Sequence, residues 1–187
     1  MKILKDIKLH LATVIMFGLL FPLVIWGIGL LFPNQANGFP IYKNGKLVGF
    51  ENIGQNFHSD KYFWGRPSAV DYNAASTGGS NKATTNPEYL EEVKKRIIDF
   101  LLKNPEVKRS EIPSDLITAS GSGIDPHISP QAALVQVSRV AKQRNLERQT
   151  VKELVQKQIE KPLLGFFGTE RVNVLKLNLA LDELKKN

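Results

Sequence analysis

The chain has 187 residues, a formal charge of +7 and no cysteine. That length suits a membrane segment plus one compact domain, and the missing cysteines exclude disulfides, thiolate metal ligands and a cysteine nucleophile. Lys and Arg are spread along the chain with no dense run and no nucleic-acid-binding signature, so nucleic acid is not an expected partner.

Residues 9–42 contain no Asp, Glu, Lys or Arg, and residues 11–32 read LATVIMFGLLFPLVIWGIGLLF. As a helix this segment rises about 33 Å at 1.5 Å per residue, which matches a hydrocarbon core of ~30 Å. Residues 11–32 are therefore expected to form a single transmembrane helix. Pro22 should kink it or require a neighbouring helix, because its ring removes one backbone donor. Gly18, Gly27 and Gly29 allow another helix to approach closely. Gly18, Pro22 and Gly27 are accordingly expected partner contacts within the membrane.

Lys2, Lys5 and Lys8 precede the span and are offset only by Asp6. The positive-inside rule then leaves residues 1–10 in the cytoplasm and exports residues 33–187 as one soluble domain. A cleaved signal peptide is the competing reading, but the apolar stretch exceeds the usual ~7–15 residues and Ala36-Asn37-Gly38 is a mediocre cleavage site. The expected location is the cell (inner) membrane, with membrane lipid as one partner.

Residues 34–86 hold half of the chain's aromatic side chains and many of its Asn and Gly. Asn44-Gly45, between Ile41-Tyr42-Lys43 and Lys46-Leu47-Val48, predicts a hairpin with a type I′ turn. Residues 57–86 follow neither a helical nor a strand period, yet carry Phe57, Tyr62, Phe63, Trp64 and Tyr72. Long irregular loops of this kind are usually functional or packed by their own side chains.

Asn86-Pro87 predicts a helix start, with Leu90, Val93, Ile97 and Leu101 on one face and an end at Asn104-Pro105. Residues 116–119 are a short strand candidate. Ser129-Pro130 opens a second helix with Leu134, Val137 and Ala141 inward. Thr150-Val151-Lys152-Glu153 reads as a capping box opening a third, with Leu154, Val155 and Ile159 as its stripe. Asn173 caps a last helix carrying Val174, Leu177, Leu181 and Leu184, although the alternation of leucines at 175–181 also admits a strand. Strands followed by helices give an α+β class for the exported domain.

Catalytic equipment is scarce. The histidines are His10, His58 and His127, with no HExxH spacing, and no metal site is expected. Gly121-Ser122-Gly123 has the wrong spacing for a nucleophile elbow. A triad of Ser122, His127 and Asp125 would require three sequence neighbours to converge. A phosphate-cradling G-x-x-x-x-G-K-[ST] loop is absent.

Two segments remain as candidate sites. Residues 120–130, Ser120-Gly121-Ser122-Gly123-Ile124-Asp125-Pro126-His127-Ile128-Ser129-Pro130, are a small-residue loop leading into a helix N-terminus. Free amides there could hold an anion such as phosphate, with Ser120, Ser122, Gly123, His127 and Ser129 as the lining. The plainer reading is a tight turn capped by Ser129. The second segment is Tyr62-Phe63-Trp64-Gly65-Arg66-Pro67-Ser68-Ala69, followed by Gly78-Gly79-Ser80-Asn81. Arg66 beside Trp64 could pair with a partner's carboxylate or stack on an aromatic ring; alternatively the loop packs on itself. Trp64, Arg66, Ser80 and Asn81 are expected partner contacts. Arg139, Lys142, Arg144, Arg148, Lys152, Lys157 and Lys161, interspersed with glutamates, are expected to be a solvated helix face.

These blocks, with Thr85-Asn86-Pro87, residues 118–133 and Arg171-Val172-Asn173-Val174-Leu175-Lys176-Leu177-Asn178-Leu179-Ala180-Leu181-Asp182, resemble the C chain of the Kdp potassium-transporting ATPase over nearly the whole length. The resemblance implies a small non-catalytic accessory subunit of a complex that imports potassium at the expense of ATP. Its implied partners are a channel-like potassium-translocating subunit and a P-type ATPase subunit. The Asp-Lys-Thr-Gly-Thr phosphorylation sequence of the latter does not occur here. The resemblance also implies stabilisation of the assembly and a catalytic-chaperone effect on ATP affinity. No intrinsic cofactor is expected, and ATP enters only through the resemblance. An exported domain conflicts with a cytoplasmic nucleotide. A membrane-anchored hydrolase using Ser122 or Ser80, or a free-standing binding module, would be the alternatives.

Overall fold

An uninterrupted run of apolar side chains gives residues near the N-terminus no polar alternative to their own backbone hydrogen bonds, and they form helix throughout. The computed structural model describes residues 2–184. Helix α1 (Lys2–Ile15) passes through a wide π turn (Met16–Leu20) into α2 (Phe21–Leu31). Ile3–Leu31 is long and apolar enough to cross a membrane, and no residue of its apolar window is buried. The strain of Pro22 is absorbed by the π turn ahead of it, where the Phe21 N–H bonds Met16 O, rather than by a break. Gly18 lies inside that turn, and nothing stands within 4 Å of where a Cβ on Gly27 would project.

A short helix α3 (Pro33–Ala36) leads to β1 (Pro40–Lys43) and β2 (Lys46–Phe50), which pair as a two-stranded sheet. Asn44 and Gly45 adopt φ of 52° and 75°, as the type I′ turn requires. The chain divides into two compact units, one reaching Val48 and one from Gly49 onward.

In the second unit, α4 (Pro87–Lys103) begins as the sequence predicts, with Asn86 Oδ1 accepting the Tyr89 N–H at 3.1 Å. Its buried residue is Phe100, whereas Leu90 is exposed and Val93, Ile97 and Leu101 are half-buried. Residues 116–119 are not a strand: a 3-10 turn (Ser114–Leu116) buries Leu116, and the Ile117 and Thr118 amides close back on Ser114 O.

The helix opened by Ser129-Pro130 splits into α5 (Pro130–Leu134) and α6 (Val137–Arg144). At the junction the Gln136 side chain donates to Ala132 O at 3.0 Å and the Gln136 backbone N–H donates to Ala133 O at 3.1 Å. Helix α7 (Arg148–Lys157) starts ahead of the predicted capping box. Glu153, which should have reached back to Thr150, accepts instead from Gln149 Nε2 at 2.8 Å. Helix α8 (Val174–Leu184) is capped by Asn173 Oδ1, which accepts the Lys176 N–H at 3.1 Å; the strand alternative at 175–181 is not adopted.

Strands β3 (His127–Ile128), β4 (Ile159–Glu160) and β5 (Arg171–Asn173) form an antiparallel sheet with β5 central. Ile128 and Ile159 both lie opposite Val172. The core gathers Ile128 and Val172 of the sheet, Val137, Val140, Val151 and Val155 of α6 and α7, Leu177 and Leu181 of α8, and Phe63 from the irregular loop. An apolar helix followed by this helix-and-sheet unit is the expected α+β class.

Candidate partner-facing site

An irregular loop must satisfy its backbone without a ladder partner, and residues 60–64 do so through side chains of two helices. Arg139 Nη1 donates to Asp60 O (2.6 Å) and Tyr62 O (2.9 Å), and Arg144 Nε donates to Lys61 O (2.8 Å). Asn178 on α8 accepts the Phe63 N–H at 2.9 Å and donates to Phe63 O at 3.0 Å. Gln136 does the same for Trp64, at 2.8 and 3.2 Å. Five successive carbonyls are thus held by side chains, and two residues are clamped on both backbone groups by buried amides. Removing water from such groups is tolerable only because each finds a partner.

The arginines also stack. The Arg139 guanidinium lies 3.9 Å from the Trp64 ring centroid, and that of Arg144 lies 4.6 Å from the Tyr62 ring. Arg139 and Arg144 are only 6% and 7% exposed, so the expectation of a solvated basic face fails at these two positions. It holds at Lys142, Arg148, Lys152, Lys157 and Lys161, which are exposed. The reason is phase: Gln136, Val140 and Arg144 lie four residues apart along one inward helical face. Burial lowers the Arg139 pKa to about 10, opposed by Asp60, which leaves the group charged at neutral pH. Arg144 is further paired with Asp182 at 2.8 Å.

Arg66 is not the residue that stacks on Trp64. Its Nη1 pairs with Asp125 at 3.1 Å, while Arg66 Nε is buried without a hydrogen-bond partner among the described residues. Asp125 also accepts the His127 backbone N–H at 3.0 Å. Burial works against the ionised Asp125, but hydrogen bonds from His127 and from Arg66 outweigh it and hold the pKa at about 2. Tyr72, whose hydroxyl donates to Arg66 O, is pushed up to about 12 by burial and by Asp125.

Residues 120–129 run alongside this loop. Ser120 N–H donates to Pro67 O (3.0 Å), Gly78 N–H to Ser122 O (2.9 Å), and Ser68 Oγ to Gly123 O (2.6 Å). Gly123 sits at φ +72°, and a Cβ there would meet Gly78 O at 2.7 Å, so only glycine fits. The amides proposed for an anion are largely engaged. Ser129 N–H donates to Asp115 Oδ2 at 2.6 Å, Ser129 Oγ accepts from Ala132 N–H at 3.1 Å, and the Ile124 N–H bonds Ser122 Oγ at 3.2 Å. The plainer reading, a turn capped by Ser129, describes these contacts. His127 presents Nδ1 to Asp125 (3.5 Å) and Nε2 to Glu160 (3.8 Å), so both ring nitrogens face carboxylates and the triad with Ser122 is not assembled.

Beside the loop, a cleft of about 500 Å³ is lined by Phe57, Trp64, Arg66, Tyr72, Arg96 and Phe100, among others. Trp64 and Arg66 both line it. Ser80 is half-buried and Asn81 exposed, with Asn81 at φ 51°, and neither lines that cleft. The roles of Gln136, Asn178, Asn104 and Asp182 went unassigned from the sequence, where the one signal was a Gln set close to the small apolar Ala132 and Ala133.

A family model described as "K+-transporting ATPase, c chain" matches residues 3–183. The chain belongs to that family. A "Potassium-transporting ATPase KdpC subunit" from Flavobacterium psychrophilum is 55% identical over 98% of both chains. One of the same name from Caldanaerobacter subterraneus subsp. tengcongensis is 56% identical, covering 100% of this chain and 97% of the relative. A third, from Bacteroides fragilis, is 50% identical over 98% and 97%. In this c-chain family member the blocks that carried the resemblance build one another. Phe63 is held by Asn178, Pro67 by Ser120, Gly78 by Ser122, and the Val174 N–H donates to Pro126 O at 2.9 Å.

Proposed function

We propose that this chain is a non-catalytic accessory subunit of an ATP-driven, high-affinity potassium uptake complex. Its relatives are named as KdpC subunits of a potassium-transporting ATPase, and the match to their family over residues 3–183 carries the reading. The N-terminal helix anchors it in the cell membrane as a single span. The short lysine-bearing start is cytoplasmic and the second unit extracytoplasmic. Its partners are a channel-like potassium-translocating subunit and a P-type ATPase subunit that hydrolyses ATP. Gly18, Pro22 and Gly27 pack against their membrane helices, and Trp64, Arg66, Ser80 and Asn81 meet their external surfaces.

The role is stabilisation of the assembly. Any rise in the ATP affinity of the ATPase subunit is transmitted through contact rather than through nucleotide held at Ser120, Ser122, Gly123, His127 and Ser129, a reading supported by the Ser120 and Ser129 amides already bonding within the chain. The test is recovery of the tagged full chain from mild detergent extracts of potassium-starved cells. Co-recovery of two large membrane proteins with potassium-dependent ATPase activity is the expected result. Recovery of the chain alone, from cells shown to contain those proteins, would overturn the reading.

A further inference from the structure

The connection from β4 to β5 ends in an apolar tip that folding does not account for. Leu163, Leu164, Phe166 and Phe167 are 70%, 75%, 69% and 58% exposed, and the two phenylalanine rings lie 4.2 Å apart. The turn is well formed: Leu163 N–H bonds Phe167 O at 3.0 Å, Phe167 N–H bonds Leu163 O at 2.9 Å, and Gly165 N–H bonds Pro162 O at 3.0 Å. Leu164 occupies a left-handed position, φ 54°, where Asn or Gly would satisfy the turn more cheaply. A bulky leucine there adds nothing to the fold and enlarges the exposed apolar surface.

We infer that residues 162–168 form a tip that inserts into the lipid surface of the bilayer holding this chain. Three observations favour lipid. Leu163 and Phe167 exchange both of their backbone hydrogen bonds, so those groups can leave water without being orphaned. Its composition, Leu and Phe with exposed Lys157 and Lys161 on the approach, complements an anionic headgroup layer over hydrocarbon. The same chain carries an apolar helix of membrane-crossing length, which keeps a bilayer within reach and reduces the entropic cost of a second, weak contact. The inference rests on the membrane-anchored reading of that helix.

The chain has no cysteine, so one probe can be placed without competition. Full-length F166C and, as a control at an exposed position elsewhere, S76C are labelled with an environment-sensitive nitrobenzoxadiazole. Each is reconstituted in phosphatidylethanolamine vesicles containing phosphatidylglycerol. Flotation with the vesicles reports the anchor, independently of the tip. The expected result is blue-shifted emission at position 166, severalfold stronger quenching by nitroxide-bearing lipid than at position 76, and protection from aqueous iodide. Adding Leu163→Asp and Leu164→Asp should reverse all three while flotation persists.

Iodide access at position 166 in a floating chain would overturn the inference. So would lipid quenching that survives the aspartates, since the fluorophore itself would then be driving insertion. Shielding that develops only when the partner subunits are co-reconstituted, without nitroxide quenching, would assign the tip to a protein pocket instead. A chain that does not float overturns the anchor and the tip together.

Discussion

Gln136→Ala tests whether buried amides hold the loop. Gln136 is fully buried, accepts from Trp64 N–H (2.8 Å) and Arg139 Nη2 (2.6 Å), and donates to Trp64 O (3.2 Å). Truncation leaves those three groups without that partner. Each buried unsatisfied group costs ~1–3 kcal/mol, and water entering the vacated space recovers part of it. The expected loss is about 3–5 kcal/mol, a large share of a total stability of ~5–15 kcal/mol. Urea unfolding of the full chain in mild detergent, followed by far-ultraviolet circular dichroism, measures it. Hydrogen exchange resolved over residues 57–72 shows where the loss falls, and the Trp64 amide should lose protection first. A loss below about 1 kcal/mol with unchanged exchange in that segment would refute the clamp.

Acid should unfold the second unit partly through Asp125. Its folded pKa of about 2 lies below the unfolded value of 3.8, so the stabilisation is complete above pH ~4 and is lost as pH falls towards 2. The difference amounts to about 2 kcal/mol, and Asp125→Asn should flatten the stability profile in that window. Gly123→Ala should destabilise the chain by more than ~1 kcal/mol, read as a lowered thermal midpoint, because of its positive φ and the contact with Gly78 O. Asn173→Ala removes both the α8 cap and the 2.8 Å bond to Glu51 O, and should cost about 1–2 kcal/mol in the same denaturation. Arg66→Ala is the cleaner probe of partner contact, since Trp64 packs on Arg139 and Phe100 and its loss would confound assembly with folding. The expected result is a folded chain with reduced complex yield; wild-type yield would remove Arg66 from the interface.

Features with local causes were legible in the sequence. Thirty-four residues without a charged side chain dictate an apolar helix, Asn44-Gly45 dictates its turn, and Asn86-Pro87, Ser129-Pro130 and Asn173 dictate three helix starts, because each signal acts within a few residues. What remained depended on contacts between distant parts of the chain. The loop from 57 to 72 owes its shape to Gln136, Arg139, Arg144 and Asn178, which lie more than seventy residues further along the chain. Whether an arginine faces water or a buried carbonyl depends on which helical face meets the core, and the polar residues of α6 mark neither side until the loop is laid against it. Arg66 pairs with Asp125 of its own chain, a pairing set by the return of a distant turn rather than by anything adjacent in sequence.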